Sequence, residues 1–123
     1  MRLASHVWVG LLLRRVQAAG GFGMILKRGE GTAGSVLIVE RAQNGGESLY
    51  LPAPTAAVLD DPLVDRDHRI YERVLDAIAP ELIRERLEKE AKFDPDHWVV
   101  ELDGVDARDF LEMLPDDGTQ NGR

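Results

Sequence analysis

The sequence predicts an α+β fold: an antiparallel β-meander sheet of about four strands, packed with an N-terminal helix and a helical pair. Three observations predict it. Val36-Leu37-Ile38-Val39 is a β-branched run bounded by turn-forming residues, as a central strand requires. Two apolar patterns of helical period follow within residues 67–92. Then Phe93-Asp94-Pro95-Asp96-His97-Trp98 stops the helical pattern, because Pro95 forbids helix continuation and pushes Asp94 towards an extended backbone. Beyond that joint, Trp98, Val100 and Leu102 alternate with Val99, Glu101 and Asp103, the period of a strand with one face inward. The rest of the chain is expected to pack around that strand.

The first helix is expected from Ser5, as its N-cap, to a stop at Gly20-Gly21, with Arg14 and Arg15 near the end where cations favour the helix dipole. Val7, Trp8, Val9, Leu11, Leu12, Leu13 and Val16 wrap most of its circumference. Such a helix is central to a core or buries a second face in a partner. Val7, Leu11 and Ala18 are the residues expected to remain available. Met1-Arg2 and the apolar run to Leu13 superficially resemble a secretory signal, but Arg14-Arg15 interrupt it. Only seven residues run apolar, against about 20 for a membrane span. The expectation is a cytoplasmic protein with no membrane contact.

Residues 22–54 read as three consecutive antiparallel strands. Phe22, Met24 and Leu26 alternate with Gly23, Ile25 and Lys27; residues 35–41 follow; Asn44-Gly45 makes a hairpin turn; Leu49-Tyr50-Leu51 closes the set before Pro52 and Pro54. Residues 55–65 are expected as a loop. In the first helix of the pair Ile70, Val74, Leu75 and Ile78 share a face; in the second Leu82, Ile83, Leu87 and Ala91 do, with Pro80 in the first turn. Glu81–Arg84, Glu85–Lys89 and Glu88–Lys92 are spaced to pair on the exposed side. Asp106 is placed to cap a short helix carrying Phe110, Leu111 and Leu114, with a returning strand as the alternative. Residues 1–114 make one expected domain and 115–123 a disordered tail.

Composition narrows the function. With 123 residues, 44% hydrophobic and 30% charged, the chain can bury roughly two thirds of its unfolded surface. It has no cysteine, hence no disulfide, thiolate nucleophile or sulfur-based zinc site. The net charge is −7, with the positive excess confined to residues 1–50. An acidic total argues against nonspecific nucleic-acid binding.

Gly29-Glu30-Gly31-Thr32-Ala33-Gly34 matches G-x-G-x-x-G, but a strand follows it where a dinucleotide fold needs a helix. The lysine, catalytic aspartate and Asp-Phe-Gly of protein kinases are missing too. It reads as a flexible hairpin connection whose glycines permit positive φ. Asp94, Asp96, His97, Glu101 and Asp103 form the densest set of acid/base or hard-cation groups. Pro95-Asp96 with Glu101-Leu102-Asp103 resembles a nuclease pattern, yet Asp103 stands where that pattern has its lysine. The three histidines are too scattered for a triad.

Trp8, Leu12-Leu13-Arg14-Arg15, the 49–54 stretch ending Pro52-Ala53-Pro54, and above all Phe93-Asp94-Pro95-Asp96-His97-Trp98-Val99-Val100-Glu101 resemble an uncharacterised alphaproteobacterial family, domain of unknown function 1491. The resemblance covers residues 2 to about 112. It implies a bacterial cytosolic protein, an apolar residue as the family's usual choice at position 97, and no established activity, cofactor or catalytic residue. The leading expectation is a non-enzymatic interaction or accessory protein, without cofactor, meeting a protein partner or a second copy through the N-terminal helix. Arg14, Arg15, Asp94, Asp96, Trp98 and Glu101 are the candidate interaction or site residues. The rival is a small metal-dependent hydrolase or nuclease-like enzyme using Asp94, Asp96 and Glu101.

Overall fold

The computed structural model describes residues 2–54 and 69–115. In chain order the elements are α1 (Ser5–Ala18), β1 (Phe22–Lys27), β2 (Val36–Arg41), β3 (Glu47–Pro52), β4 (Ile70–Ile78), α2 (Pro80–Phe93), β5 (Trp98–Asp103), a 3-10 turn (Ala107–Asp109) and β6 (Glu112–Met113). The fold is α+β, but its sheet is six-stranded and mixed, in the order β1-β5-β2-β3-β4-β6. The expected four-strand antiparallel meander and the helical pair are therefore both corrected.

Two physical reasons account for the differences. First, β5 inserts between β1 and β2, antiparallel to β1 and parallel to β2. Which strand lies beside which depends on distant partners, and no short connection reveals such an insertion. Second, residues 70–78, expected as a helix, form β4 antiparallel to β3. Register irregularities at Glu47/Leu49 and Leu49/Tyr50 break its pairing. A bulge adds a residue on one strand and upsets strict alternation, so an apolar set at 70, 74, 75 and 78 imitates helical spacing. The β-branched and aromatic content of Ile70-Tyr71 and Val74 was the better signal.

Helices cover opposite faces. On the first face, Val9, Leu12 and Val16 of α1 pack on Val36, Ile38, Tyr50, Tyr71, Trp98, Val100 and Leu102. Trp8 stacks on Tyr71 with ring centroids 5.9 Å apart, and the Tyr71 hydroxyl donates to the Val36 carbonyl at 2.6 Å. On the second face, Ile83 and Leu87 of α2 pack on Leu37, Val39, Leu49, Leu51 and Val99. Trp98, expected inward, is 1% exposed.

The ends of the elements follow local chemistry. Gly20, at φ +90°, ends α1: its N–H donates to Gln17 and that of Gly21 to Val16, a double closure that needs a left-handed residue. At the other end Ala4, not Ser5, is the N-cap. Ser5 is buried, and its hydroxyl donates to the Gly34 carbonyl instead. Gly45, at φ +88°, turns the β2–β3 hairpin, where the Asn44 side chain accepts from Gly46 N–H at 2.8 Å. Pro80 opens α2 as expected, and Arg86–Glu90 (2.9 Å) is an ion pair formed along that helix. Asp106 caps as expected, but the turn it opens is a 3-10 turn of three residues that stops before Phe110, and the returning strand, β6, begins only at Glu112, pairing parallel with Ile70 and Tyr71. The loop expected at 55–65 and the tail beyond Pro115 lie outside the described residues.

Candidate functional site

The glycine-rich connection, 28–35, crosses the start of β5 to link two strands that β5 separates. It is not a hairpin loop. Glu30 N–H donates to the Asp96 carbonyl (2.9 Å), Trp98 N–H to Ser35 (2.7 Å), and the Trp98 indole to the Glu30 carbonyl (2.8 Å). Gly29 and Gly34 serve close approach, correcting the expectation of positive φ, which belongs elsewhere to Gly20, Gly45 and Gly104. A Cβ on Gly29 would lie 2.6 Å from the Trp98 ring and against the Asp96 carbonyl; one on Gly34 would lie 2.7 Å from that carbonyl.

The same loop carries its own anion. The Glu30 carboxylate accepts Thr32 N–H at 3.0 Å and Ala33 N–H at 2.7 Å, and these backbone donors hold it below the usual carboxylate range. Backbone N–H groups curled in this way are what a phosphate site offers. Here Glu30 occupies them. The first N–H groups of α1 are also engaged, Ser5 to Thr32 O and His6 to Gly31 O, each at 2.9 Å.

The predicted site residues spread along this clamp and away from it. Asp94 accepts Asp96 N–H at 3.1 Å, forming the turn before β5. Trp98 lies in the core, with the Arg28 guanidinium 5.2 Å from its ring centroid. Glu101 sits on β5 opposite Met24 and Val39, roughly 10 Å along the strand from Trp98. Burial raises its carboxyl while Arg41 opposes the shift. Asp94, Asp96 and Glu101 are therefore not brought together. Among the described residues no group of three or more His, Asp or Glu side chains is placed to hold a metal ion. His97 is buried beside β1, and Lys27 reaches past it to the Pro95 and His97 carbonyls at 2.8 and 2.6 Å. Arg15 packs over Phe110, 5.5 Å from the ring centroid, and donates to its carbonyl, whereas Arg14 points into solvent.

Two surfaces carry what the sequence reading only half anticipated. On α1, Val7 and Leu11 are each 39% exposed, on the side turned away from Val9, Leu12 and Val16, and Leu3, just before the helix, is 46% exposed. At the β1 margin, Phe22, Met24 and Leu26 are 60%, 43% and 48% exposed. Leu26 there borders a groove of about 260 Å³ with Leu87, Ala91, His97 and Val99. The alternation at 22–27 signalled the strand. That its outer residues stay bare depends on α2 lying over β3 and β4, a placement that no local sequence pattern encodes.

A polar cleft of about 440 Å³ opens at the ends of β2 and β5, bordered by Glu40, Arg41, Asp103, Asp106 and Arg108. Its charged groups are largely committed to structure. Glu40 accepts the Tyr50 hydroxyl (3.1 Å) and Ala107 N–H (2.7 Å), and Arg108 forks onto Asp106. Burial, then Glu40, pushes the Tyr50 phenol up to about 12, so it stays a hydrogen-bond donor.

Comparison with known proteins places this architecture. The solution structure of protein Atu0922 from A. tumefaciens is similar over 94% of this chain and 98% of that one, with 39% identity and a TM-score of 0.79. The crystal structure of a DUF1491 family protein from Caulobacter crescentus is similar over 92% of this chain and 99% of that one, with 26% identity and a TM-score of 0.71. An NMR structure of a DUF1491 family protein from Caulobacter crescentus gives 26% identity and a TM-score of 0.70, over 94% and 99% of the two chains. No curated protein matches the chain. The family model described as a protein of unknown function, DUF1491, matches residues 3–112. The α1 helix, the inserted β5 strand and its Asp-Pro-Asp turn all fall within that span, and the chain belongs to the DUF1491 family.

Proposed function

We propose that this protein is a non-enzymatic cytosolic interaction or accessory protein, and that the outward side of α1 receives a protein partner. One observation carries the reading: α1 has two apolar sides, and only one faces the sheet. Val9, Leu12 and Val16 are buried, while Val7 and Leu11, four residues apart, are exposed, with Leu3 exposed just before the helix. Leaving such a stripe wet forgoes about 25 cal/mol per Å² of apolar surface, which a partner would recover. Arg14 continues the stripe one turn on and is exposed. The partner it fits has an apolar helix or groove with a carboxylate opposite Arg14. A stable contact needs roughly 800 Å² per side. No helix among the described residues is long and apolar enough to cross a membrane.

The test compares wild type with Leu11→Glu in affinity capture from a bacterial lysate, with circular dichroism to monitor folding. The expected result is a folded variant that loses a specific captured protein, while Leu82→Glu, on exposed α2 surface, retains it. Capture unchanged by Leu11→Glu would overturn the reading. Unfolding by that substitution would show the residue to be core.

A further inference from the structure

β1 is one margin of the sheet. Its inner side pairs with β5, and among the described residues no strand lies on its outer side. Edges of this kind are usually protected by charge, proline, shortness, a bulge or a covering element, because free N–H and C=O groups template pairing with another chain. β1 has six residues and no proline; its one register irregularity against β5 comes late, between Ile25 and Lys27, and its bare side chains, Phe22, Met24 and Leu26, keep to alternate positions. The opposite margin looks different. There β6 covers part of β4, Glu72, Arg73 and Asp76 lie along it, and Ala77 at φ +53° ends its regular course.

We propose that β1 is closed by β1 of a second copy, antiparallel, about a two-fold axis at Met24. The register follows from the side chains. With the axis at Met24, Phe22 faces Leu26 of the second copy, Met24 faces its own counterpart, and Leu26 faces Phe22: three apolar pairs on one face of a continuous sheet. On the other face Ile25 meets Gly23, bulk against space. Moving the axis to Gly23 sets Leu26 against Gly20, and moving it to Ile25 sets Phe22 against Arg28. Both lose an apolar pair.

Charge selects the second copy and this mode of contact. No carboxylate lies within β1, and the Lys27 ammonium is turned inward onto the Pro95 and His97 carbonyls. Edge pairing therefore brings no like charges face to face. Stacking the bare sheet faces of two copies instead would oppose Glu101 and Asp103 to themselves, beside a groove that already holds Glu88. This inference is independent of the partner proposed for α1.

The absence of cysteine makes a direct test available. Antiparallel neighbours at a two-fold axis have Cα atoms about 4.5–5.5 Å apart, within disulfide reach. Full-length Met24→Cys, oxidised with a glutathione redox buffer, is expected to form a covalent dimer, and Val7→Cys on α1 is not. Sedimentation equilibrium of the wild type across the micromolar range is expected to show a reversible dimer. Met24→Lys, which sets two ammonium groups against each other, should abolish it with the melting temperature kept; Phe22→Asp serves if Met24→Lys does not fold. A wild type that stays monomeric, a dimer that survives these substitutions, or cross-linking through Val7→Cys instead would overturn the proposal. Loss of the dimer by Leu11→Glu alone would move the contact to α1 and overturn it as well.

Discussion

At the scale of single residues, Trp98 ties the glycine-rich connection to the core. Its ring is buried among α1 and sheet side chains, its indole N–H is spent on the Glu30 carbonyl, and Arg28 lies over it. Trp98→Ala should cost about 3–5 kcal/mol in a denaturant melt, the range for emptying a large aromatic site. A loss below about 1 kcal/mol would contradict that packing. His97, next in line, has the opposite relation to charge. Burial, then the Lys27 ammonium, lowers its pKa below the ordinary 6.5, so the fold favours the neutral ring. The sign follows from linkage: stability is full above about pH 6.5 and falls as pH drops through the window down to the depressed native value. His97→Leu should remove that part of the acid-side loss. Denaturant midpoints at about pH 7.5 and about pH 5 check this, and equal losses in variant and wild type would contradict it.

At the scale of elements, the 29–34 connection separates two roles for glycine. Gly29→Ala and Gly34→Ala drive a Cβ into backbone that cannot yield, whereas at Gly31 the nearest atom is the His6 ring at 3.6 Å. The first two should each cost about 1–3 kcal/mol and the third much less, read as thermal shifts. ATP, GTP or NAD should leave the melting temperature unmoved, because Glu30 already occupies the Thr32 and Ala33 N–H groups. A saturable rise in melting temperature would show the nucleotide displacing Glu30. The elements themselves divide by how local their signals are. α1, the Asn44-Gly45 hairpin, α2 and β5 are written in proline and glycine punctuation, turn residues and short-range period, and they stand close to the expected positions. β4 escaped because bulged pairing with β3 disguised its period. The glycine loop has no local signature of its role, because its neighbours in space are Asp96 and Trp98, more than sixty residues away.

At the scale of the whole molecule, one sheet carries both cores. Val36 and Ile38 serve the α1 side while Leu37 and Val39, between and beyond them, serve the α2 side. Losing the sheet exposes both at once. Unfolding followed by tryptophan fluorescence, which reports the α1 side through Trp8 and Trp98, should therefore coincide with unfolding followed by far-ultraviolet circular dichroism. Two separated transitions would mean that α2 and its layer can melt alone. Of the candidate site, the sequence revealed the two-sided apolarity of α1 and the prominence of the 93–101 stretch. The bare β1 margin was not legible, since exposure of Phe22, Met24 and Leu26 is set by where α2 lies.

The placement of β5 also constrains the order of events during synthesis. β1 and β2 flank a gap that only residues 98–103 can fill, so the middle of the sheet stays open until most of the chain has left the ribosome. Until then the inner edges of β1 and β2 are as unpaired as the outer edge of β1. Folding must wait for a distant segment, which slows it and exposes the nascent chain to mispairing. Any change that delays β5 would lengthen that exposure.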